Sequence, residues 1–328
     1  MHTLLILYLL VIFVLIMKEI GNFFELETTN LSTKWLKGKI LVNSGRNALR
    51  YIIRLYKIKE IFVPAYTCQF VWLTLKEEGC KINFYHIDKN FMPQEEFNKN
   101  SHIIYNNYFG ICDKQIIQLK QKYKNLIIDN TQAFYSQQMG LASFYSVRKF
   151  FGVPDGGFIL CNNKNKLNLE KSTSYNRCIH LLKAYDKGCN ASYINFLKNE
   201  LEIDKLPLQE MSNLTKTLLK NINYNKTKRI RLKNFNFLHQ VLKNLNQLKI
   251  NLTSGDIPMF YPYLINNSQE LQNNLKNNGI FLTDCWPQIE KYLSKYELYL
   301  KQNLILLPID QRYGIKEMKL IFKIINYN

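Results

Sequence analysis

Patterned cysteine is missing from this 328-residue sequence. Its seven cysteines (68, 80, 112, 161, 178, 189 and 285) form no CxxC pair and no metal-ligand spacing. An odd, unpatterned set reads as free thiols in a reducing compartment, so neither a disulfide framework nor a bound metal is expected. Arginine is scarce as well: eight of the 44 basic residues, against 36 lysines. The net charge of +19 invites a nucleic-acid role. The lysines, however, are scattered as on a solvated surface, and with abundant Asn, Ile and Tyr they carry the imprint of an AT-rich genome. No nucleic acid is expected as a partner, although a basic surface attracts acidic substrates such as nucleotide diphosphates. Internal repeats and low-complexity linkers are also missing.

Only one long apolar run exists. Residues 3–16, TLLILYLLVIFVLI, are almost continuously apolar but short of the ~20 residues that span a bilayer. No small-residue cleavage site follows. The run reads as a membrane anchor, an uncleaved signal, or an upstream extension with the start at Met17. The last is preferred, because a soluble-looking domain begins at MKEIGNFFELE. The expected location is the cytoplasm, with membrane association only if residues 1–16 are a real anchor. With 47% hydrophobic and 13% aromatic residues the composition is globular. The length suits two domains, placed at 17–221 and 222–328.

What is present is an alternation of strands and helices. Strands are expected at 39–43, 60–63, 81–86, 102–106, 126–129 and in FILCN after Gly157, with helices at about 45–57, 68–78 and 114–123. Residues 163–205 are polar and helical in parts. A long helical region from 208 to 246 breaks near 222–226. Strands follow at 259–266, after Gly279 and at 304–310, and a helix at 314–326 closes the chain. This is an α/β pattern: a three-layer, mostly parallel sheet buried on both faces, with a smaller C-terminal α+β domain. Ligands of such sheets sit at the carboxyl ends of strands. Gly45, Pro64–Thr67, Asn107, Asp129 and Lys149 all fall there.

Two stretches carry chemistry. LIIDNTQAF (126–134) is an apolar strand ending on Asp129. SFYSVRKFFGVPDGG (143–157) places Lys149 three residues after Ser146 and seven before Gly156. Pyridoxal 5'-phosphate (PLP) chemistry needs a lysine for the Schiff base and an acid that keeps the pyridine nitrogen protonated. Gly45, at a strand-to-helix turn, leaves N–H groups free for a phosphate. Bland readings stand beside these. Lys149 is one of 36 lysines, Asp129 can cap a turn, and Ser44 can simply cap a helix. Ser146 and Arg148 suit a phosphate or a plain surface. His86 and His102 read as satisfied strand residues. Tyr66 and Trp286 read as core, although an aromatic face can stack on a cofactor. Arg312 is a candidate for an amino donor's carboxylate.

The order of motifs resembles the DegT-type sugar aminotransferases, PLP enzymes of fold type I, from about residue 17 to 328. VNSGRNALRYII resembles the family's phosphate-cradling S-G-T-x-A-L turn, and VPAYTCQFVW its P-x-x-T-aromatic segment. NNYFG resembles H-x-Y-G, with Asn107 in the His place. LIIDNTQAF resembles E-D-x-A-Q-A, SFYSVRKFFGVPDGG the Schiff-base segment, and LILLPIDQRYGIKEM the closing strand and helix. Arg46 stands where the family has Ser or Thr, Cys68 where many members have an aromatic ring, and Leu208 where an Asn crosses the dimer to the phosphate. Tyr66 could stack in place of that ring, and Arg46 and Arg148 could supply the phosphate charge. The resemblance implies a cofactor site of Gly45, Arg46, Asn47, Tyr66, Thr67, Cys68, Asn107, Asp129, Gln132, Ser146, Arg148 and Lys149. Lys149 and Asp129 would be catalytic, and Gln132 would lie near the ring or its 3′-oxygen. It further implies a homodimeric aminotransferase that moves an amino group from glutamate to a nucleotide-linked keto-sugar for surface polysaccharide. The alternatives are another PLP reaction on a sugar, such as dehydration, and a non-catalytic binding protein of the same fold.

Overall fold

A computed structural model of the chain describes residues 26–29, 31–284, 286 and 290–326. In chain order its first elements are β1 (Ile40–Val42), α1 (Gly45–Tyr56), β2 (Glu60–Pro64), α2 (Gln69–Glu77), β3 (Lys81–Tyr85), β4 (Ile103–Asn106), α3 (Asp113–Lys122), β5 (Leu126–Asp129), β6 (Ala142–Ser146) and β7 (Gly157–Cys161). There follow α4 (Ile179–Asp204), α5 (Asn213–Lys220), α6 (Tyr224–Leu242), β8 (Phe260–Leu264), α7 (Gln269–Asn277), α8 (Lys295–Asn303), β9 (Leu304–Pro308) and α9 (Ile315–Asn326).

Seven strands form one sheet in the order β1-β7-β6-β5-β4-β2-β3. Strands β2 to β6 pair in parallel, whereas β7 runs antiparallel to both of its neighbours, β1 and β6. The expected three-layer, mostly parallel sheet is therefore present, with one reversed strand inside it. Alternation along each strand explains the layers. Ile104 and Ile127 point into a core under α1 and α2. Their neighbours Ile103, Tyr105, Leu126 and Ile128 point to the other face, which packs against Phe235 of α6, β8, β9 and α9. A strand buried on both faces must be apolar throughout, and LII of β5 is. The second sheet is the antiparallel pair β8-β9.

Two local features set up the site. Ser44 caps α1 by accepting the Asn47 N–H at 3.1 Å, as a Ser at a helix start does. Gly157 then crosses that turn so closely that a Cβ would lie 2.4 Å from the Ser44 carbonyl oxygen. Only glycine fits there, and the neighbouring Gly156 N–H donates to Asn43 O at 2.8 Å. The Gly-Gly pair thus pins the Lys149 loop to the start of α1.

Several expectations change. The strand after Gly279 does not form among residues 280–284, and residues 285 and 287–289 lie outside the described residues. The polar stretch before residue 205 is dominated by one 26-residue helix, α4, bent at Gly188, where φ is 80°. The expected possibility of membrane association must be corrected. Among the described residues no helix is long and apolar enough to cross a membrane. The apolar run at 3–16, on which that expectation rested, lies outside the described residues.

Candidate active site

The carboxyl ends of β1, β2, β4, β5 and β6 share one edge of the sheet, because β1 and β6 both run opposite to β7. A cleft of ≈ 130 Å³ opens at this edge. Asp129 at the end of β5 with Thr131 beyond it, Ser146 at the end of β6 with Arg148 and Lys149 beyond it, and Ser44 to Arg46 at the start of α1 line it, and Cys68 and Phe70 complete that wall.

Thr131 joins the two principal groups. Its backbone N–H donates to Asp129 Oδ1 at 2.8 Å, and its hydroxyl accepts from Lys149 Nζ at 3.1 Å. Asp129 is 6% exposed. Burial pushes its carboxyl above the usual range, while the Lys149 charge and the Thr131 hydrogen bonds pull it down. Lys149 itself is exposed to the cleft. The missing Cβ of Gly45 leaves space beside Ser146, since a Cβ there would come within 3.1 Å of the Ser146 Cβ. The first turn of α1 opens onto this space, with backbone N–H groups that have no intrahelical partner. Arg148 lies mostly buried next to it, its guanidinium lowered to about 10 by burial against the opposing pull of Asp155 and Asp204.

Arg46 lines the cleft but is bonded to Glu77 and Thr74 outside it, and the remaining expected site residues lie away from the cleft. Arg46 is the first rung of an ion-pair ladder in which Arg46, Arg50 and Arg54 of α1 meet Glu77 and Glu78 at the end of α2. Its Nη2 lies 2.6 Å from Glu77, its Nε donates to Thr74, and its Nη1 donates to Asp204 O. Asn47 turns inward, donating to Asn43 Oδ1 and to the Leu206 and Pro207 carbonyls. Thr67 accepts from Asn106. Asn107 is buried in a network with Asp113, Asn130 and Ser136. Gln132 accepts from the Phe109 N–H. Tyr66 stacks on Tyr108 and meets Trp286 edge-on at 4.9 Å. It lines a different cavity of ≈ 320 Å³ beside α7, α8 and β9. That cavity is the larger; Lys276, Asp284 and Lys301 line it, but neither Asp129 nor Lys149 does. His86 Nδ1 is bonded to Glu297. The Arg312 guanidinium is held by Asp310 through Nε at 2.8 Å and Nη2 at 2.9 Å. A D-x-R pair is visible in the sequence and could have flagged this. Thr131, Phe70 and the end of α4 (Ile203, Asp204) line the cleft without having been foreseen.

No protein-family profile matches the sequence, and no curated protein matches it. Solved structures do match. One is a DegT/DnrJ/EryC1/StrS aminotransferase from Brucella abortus, with TM-score 0.60 and 15% identity over 88% of this chain and 85% of that one. Another is a putative sugar aminotransferase from Streptococcus pneumoniae in its PLP form, with TM-score 0.63 and 13% identity over 95% and 93%. A third is the E. coli GDP-4-keto-6-deoxy-D-mannose-3-dehydratase with bound hydrated PLP, with TM-score 0.63 and 15% identity over 90% of each chain. The chain has the fold of the DegT-type PLP sugar enzymes. At these identities the likeness is one of fold.

The residues present fit the cofactor this fold implies. A lysine amine and a buried carboxylate share one cleft and one bridging threonine. The Gly45 gap leaves a cradle at a helix N-terminus, next to a serine and an arginine. In this DegT-type fold the reversed β7 supplies the glycine pair, and the parallel strands supply acid and lysine.

Proposed function

We propose that the protein is a PLP-dependent aminotransferase that takes an amino group from glutamate and delivers it to a nucleotide-linked keto-sugar, in the synthesis of surface polysaccharide. The observation that carries this reading is the shared cleft of Lys149 and Asp129, bridged by Thr131. Bound PLP would supply an electron sink for carbanion chemistry at the amine-bearing carbon. Asp129 would hold a proton on the pyridine nitrogen, and its burial keeps that charge pair away from water. Lys149 Nζ would anchor the cofactor and then move the proton at the substrate carbon. Gly45, Ser146 and Arg148 would hold the phosphate through backbone N–H, hydroxyl and guanidinium donors. Cys68 and Phe70 would border the ring. Asn47, Thr67, Asn107 and Gln132 would act at one remove, by fixing the turns that carry these groups.

The half-reaction tests the proposal. Protein loaded with PLP and mixed with glutamate should lose its visible absorbance and release about one equivalent of 2-oxoglutarate per chain. Protein that binds PLP but releases none is not a glutamate aminotransferase. Sugar dehydration is kept as a second reading because the dehydratase matches as well as the aminotransferases do. A keto-sugar product lighter by one water would establish it.

We also propose a homodimer. The bent helix α4 exposes Leu182 (67%), Tyr185 (95%), Ile194 (80%) and Leu201 (64%). So much apolar surface on one element marks an association site. Light scattering should give twice the 39.0 kDa chain mass, and Leu182→Asp with Ile194→Asp should return it to one. A wild-type protein of single-chain mass at micromolar concentration excludes the dimer.

A further inference from the structure

Acid crowds one end of the cleft. The last turn of α4 brings Ile203 and Asp204 to the lining, facing Arg46, Arg148 and the start of α1. Glu200 lies four residues before Asp204, on the same face of the helix, and is ion-paired with Arg148. The Asp204 carbonyl oxygen accepts from Arg46 Nη1 at 2.8 Å. The Asp204 carboxylate has no hydrogen bond among the described residues. Burial pushes its carboxyl up, and the charges of Arg46 and Arg148 pull it back. A half-buried carboxylate without donors is held by charge alone, so it gives way readily to a better anion.

That better anion has a natural entry. The same end of the cleft carries the cradle at Gly45, the Ser146 hydroxyl and Arg148, the donors assigned above to a phosphate. A phosphate there meets Asp204 as a like charge at close range. Space points the same way, since ≈ 130 Å³ is below the ~300 Å³ at which ligand pockets begin. The wall that would have to yield is the one formed by the end of α4. The helix bends at Gly188, where φ is 80° and where an added Cβ would meet nothing within 4 Å. Beyond that bend residues 189–204 form one arm, and its displacement would have to break the Asn199 donation to the Pro154 carbonyl.

We propose that Asp204 competes with the cofactor's phosphate for the cation-lined end of the cleft, so that the last turn of α4 is a displaceable stopper. This rests on the cofactor reading above. When phosphate enters, Asp204 withdraws, and Glu200 on the same turn releases Arg148 to the phosphate. Loading the cofactor and repositioning α4 are then one event.

Equilibrium binding to the whole apoprotein tests this, with three ligands: PLP, inorganic phosphate, and pyridoxal, which lacks the phosphate. Wild type is compared with Asp204→Asn, with Asp204→Ser as a second neutral variant, and with Asp186→Asn, which removes an exposed carboxylate from the same helix. Removal of one like charge from a partly solvated site should tighten PLP and phosphate binding by about 5- to 10-fold in both Asp204 variants. Pyridoxal binding and the Asp186→Asn protein should be unchanged. Unchanged or weaker phosphate and PLP binding in the Asp204 variants overturns the proposal, and so does equal tightening in Asp186→Asn. If no form takes up PLP, the cofactor reading fails, and the phosphate comparison alone still decides the role of Asp204.

Discussion

Lys149→Ala is expected to fold normally, to bind PLP without fixing it, and to lose about a thousandfold or more of the glutamate half-reaction. Folding should survive because Lys149 is exposed and its one hydrogen bond, to Thr131 Oγ1, lies at the cleft. The expected cost is a modest loss of stability, because the Lys149 charge partly offsets the burial of the Asp129 carboxyl. The catalytic loss follows from losing two functions together. A positioned proton-transfer group is worth roughly 10²–10⁴, and the covalent hold on the cofactor goes with it. The measurement is borohydride reduction of the loaded protein, followed by peptide mass analysis. In wild type the cofactor mass should sit on the peptide carrying Lys149, and in the variant no lysine should carry it. An adduct on another of the 36 lysines, or an unimpaired half-reaction, would falsify the assignment of Lys149.

Much of this site could be read before the fold was known, and the reason is periodicity. The short apolar strands of β2, β4 and β5 admit only a sheet buried on both faces, and that places their carboxyl ends together. Asp129 and Lys149 are legible because the first ends such a strand and the second follows one by three residues, close to a rigid element. What was not legible is side-chain direction at turns. Arg46 sits where a phosphate ligand is expected and lines the cleft, but its guanidinium is paired with Glu77. That acid is about thirty residues away, and it meets Arg46 only because α1 and α2 pack side by side. Gln132 and Asn107 are drawn from the cleft by the Phe109 N–H and by Asp113. A buried polar group takes whatever partner the turn offers, because leaving one unpaired costs more than reorienting it. The acidic end of α4 was hidden for another reason. Its lysines and asparagines read as a solvated helix, and nothing local tells that Glu200 and Asp204 face a cleft built from residues 44–149.

Asp129→Asn should yield a protein that is more stable without cofactor and far less active with it. Burial raises the Asp129 carboxyl above its ordinary value, and the Lys149 charge only partly offsets this. A carboxyl whose folded-state value lies above the unfolded one favours folding most when protonated. That stability is present below the unfolded value and is lost as pH rises through the folded one. At neutral pH, above the ordinary carboxyl value, the wild-type apoprotein therefore bears the cost of burying a titratable acid. Asparagine has the same shape, can still accept the Thr131 N–H, and bears no such cost. The thermal midpoint of apo Asp129→Asn should exceed that of wild type at neutral pH, and the gap should narrow as the pH is lowered. Cofactor reverses the order. A protonated pyridine nitrogen is the partner the carboxylate lacks, so wild type should gain more from PLP than the amide variant does. The amide cannot hold that proton in place, and the half-reaction should fall by about 10²–10³, the scale set by the loss of one preorganised electrostatic contact. An apo variant that melts below wild type at neutral pH would show that attraction to Lys149 outweighs burial. A variant that keeps its half-reaction would remove Asp129 from the chemistry altogether. The two readouts are independent, because one is taken without cofactor and the other requires it. Together they separate the strain that the chain builds into Asp129 from the use to which bound cofactor puts it.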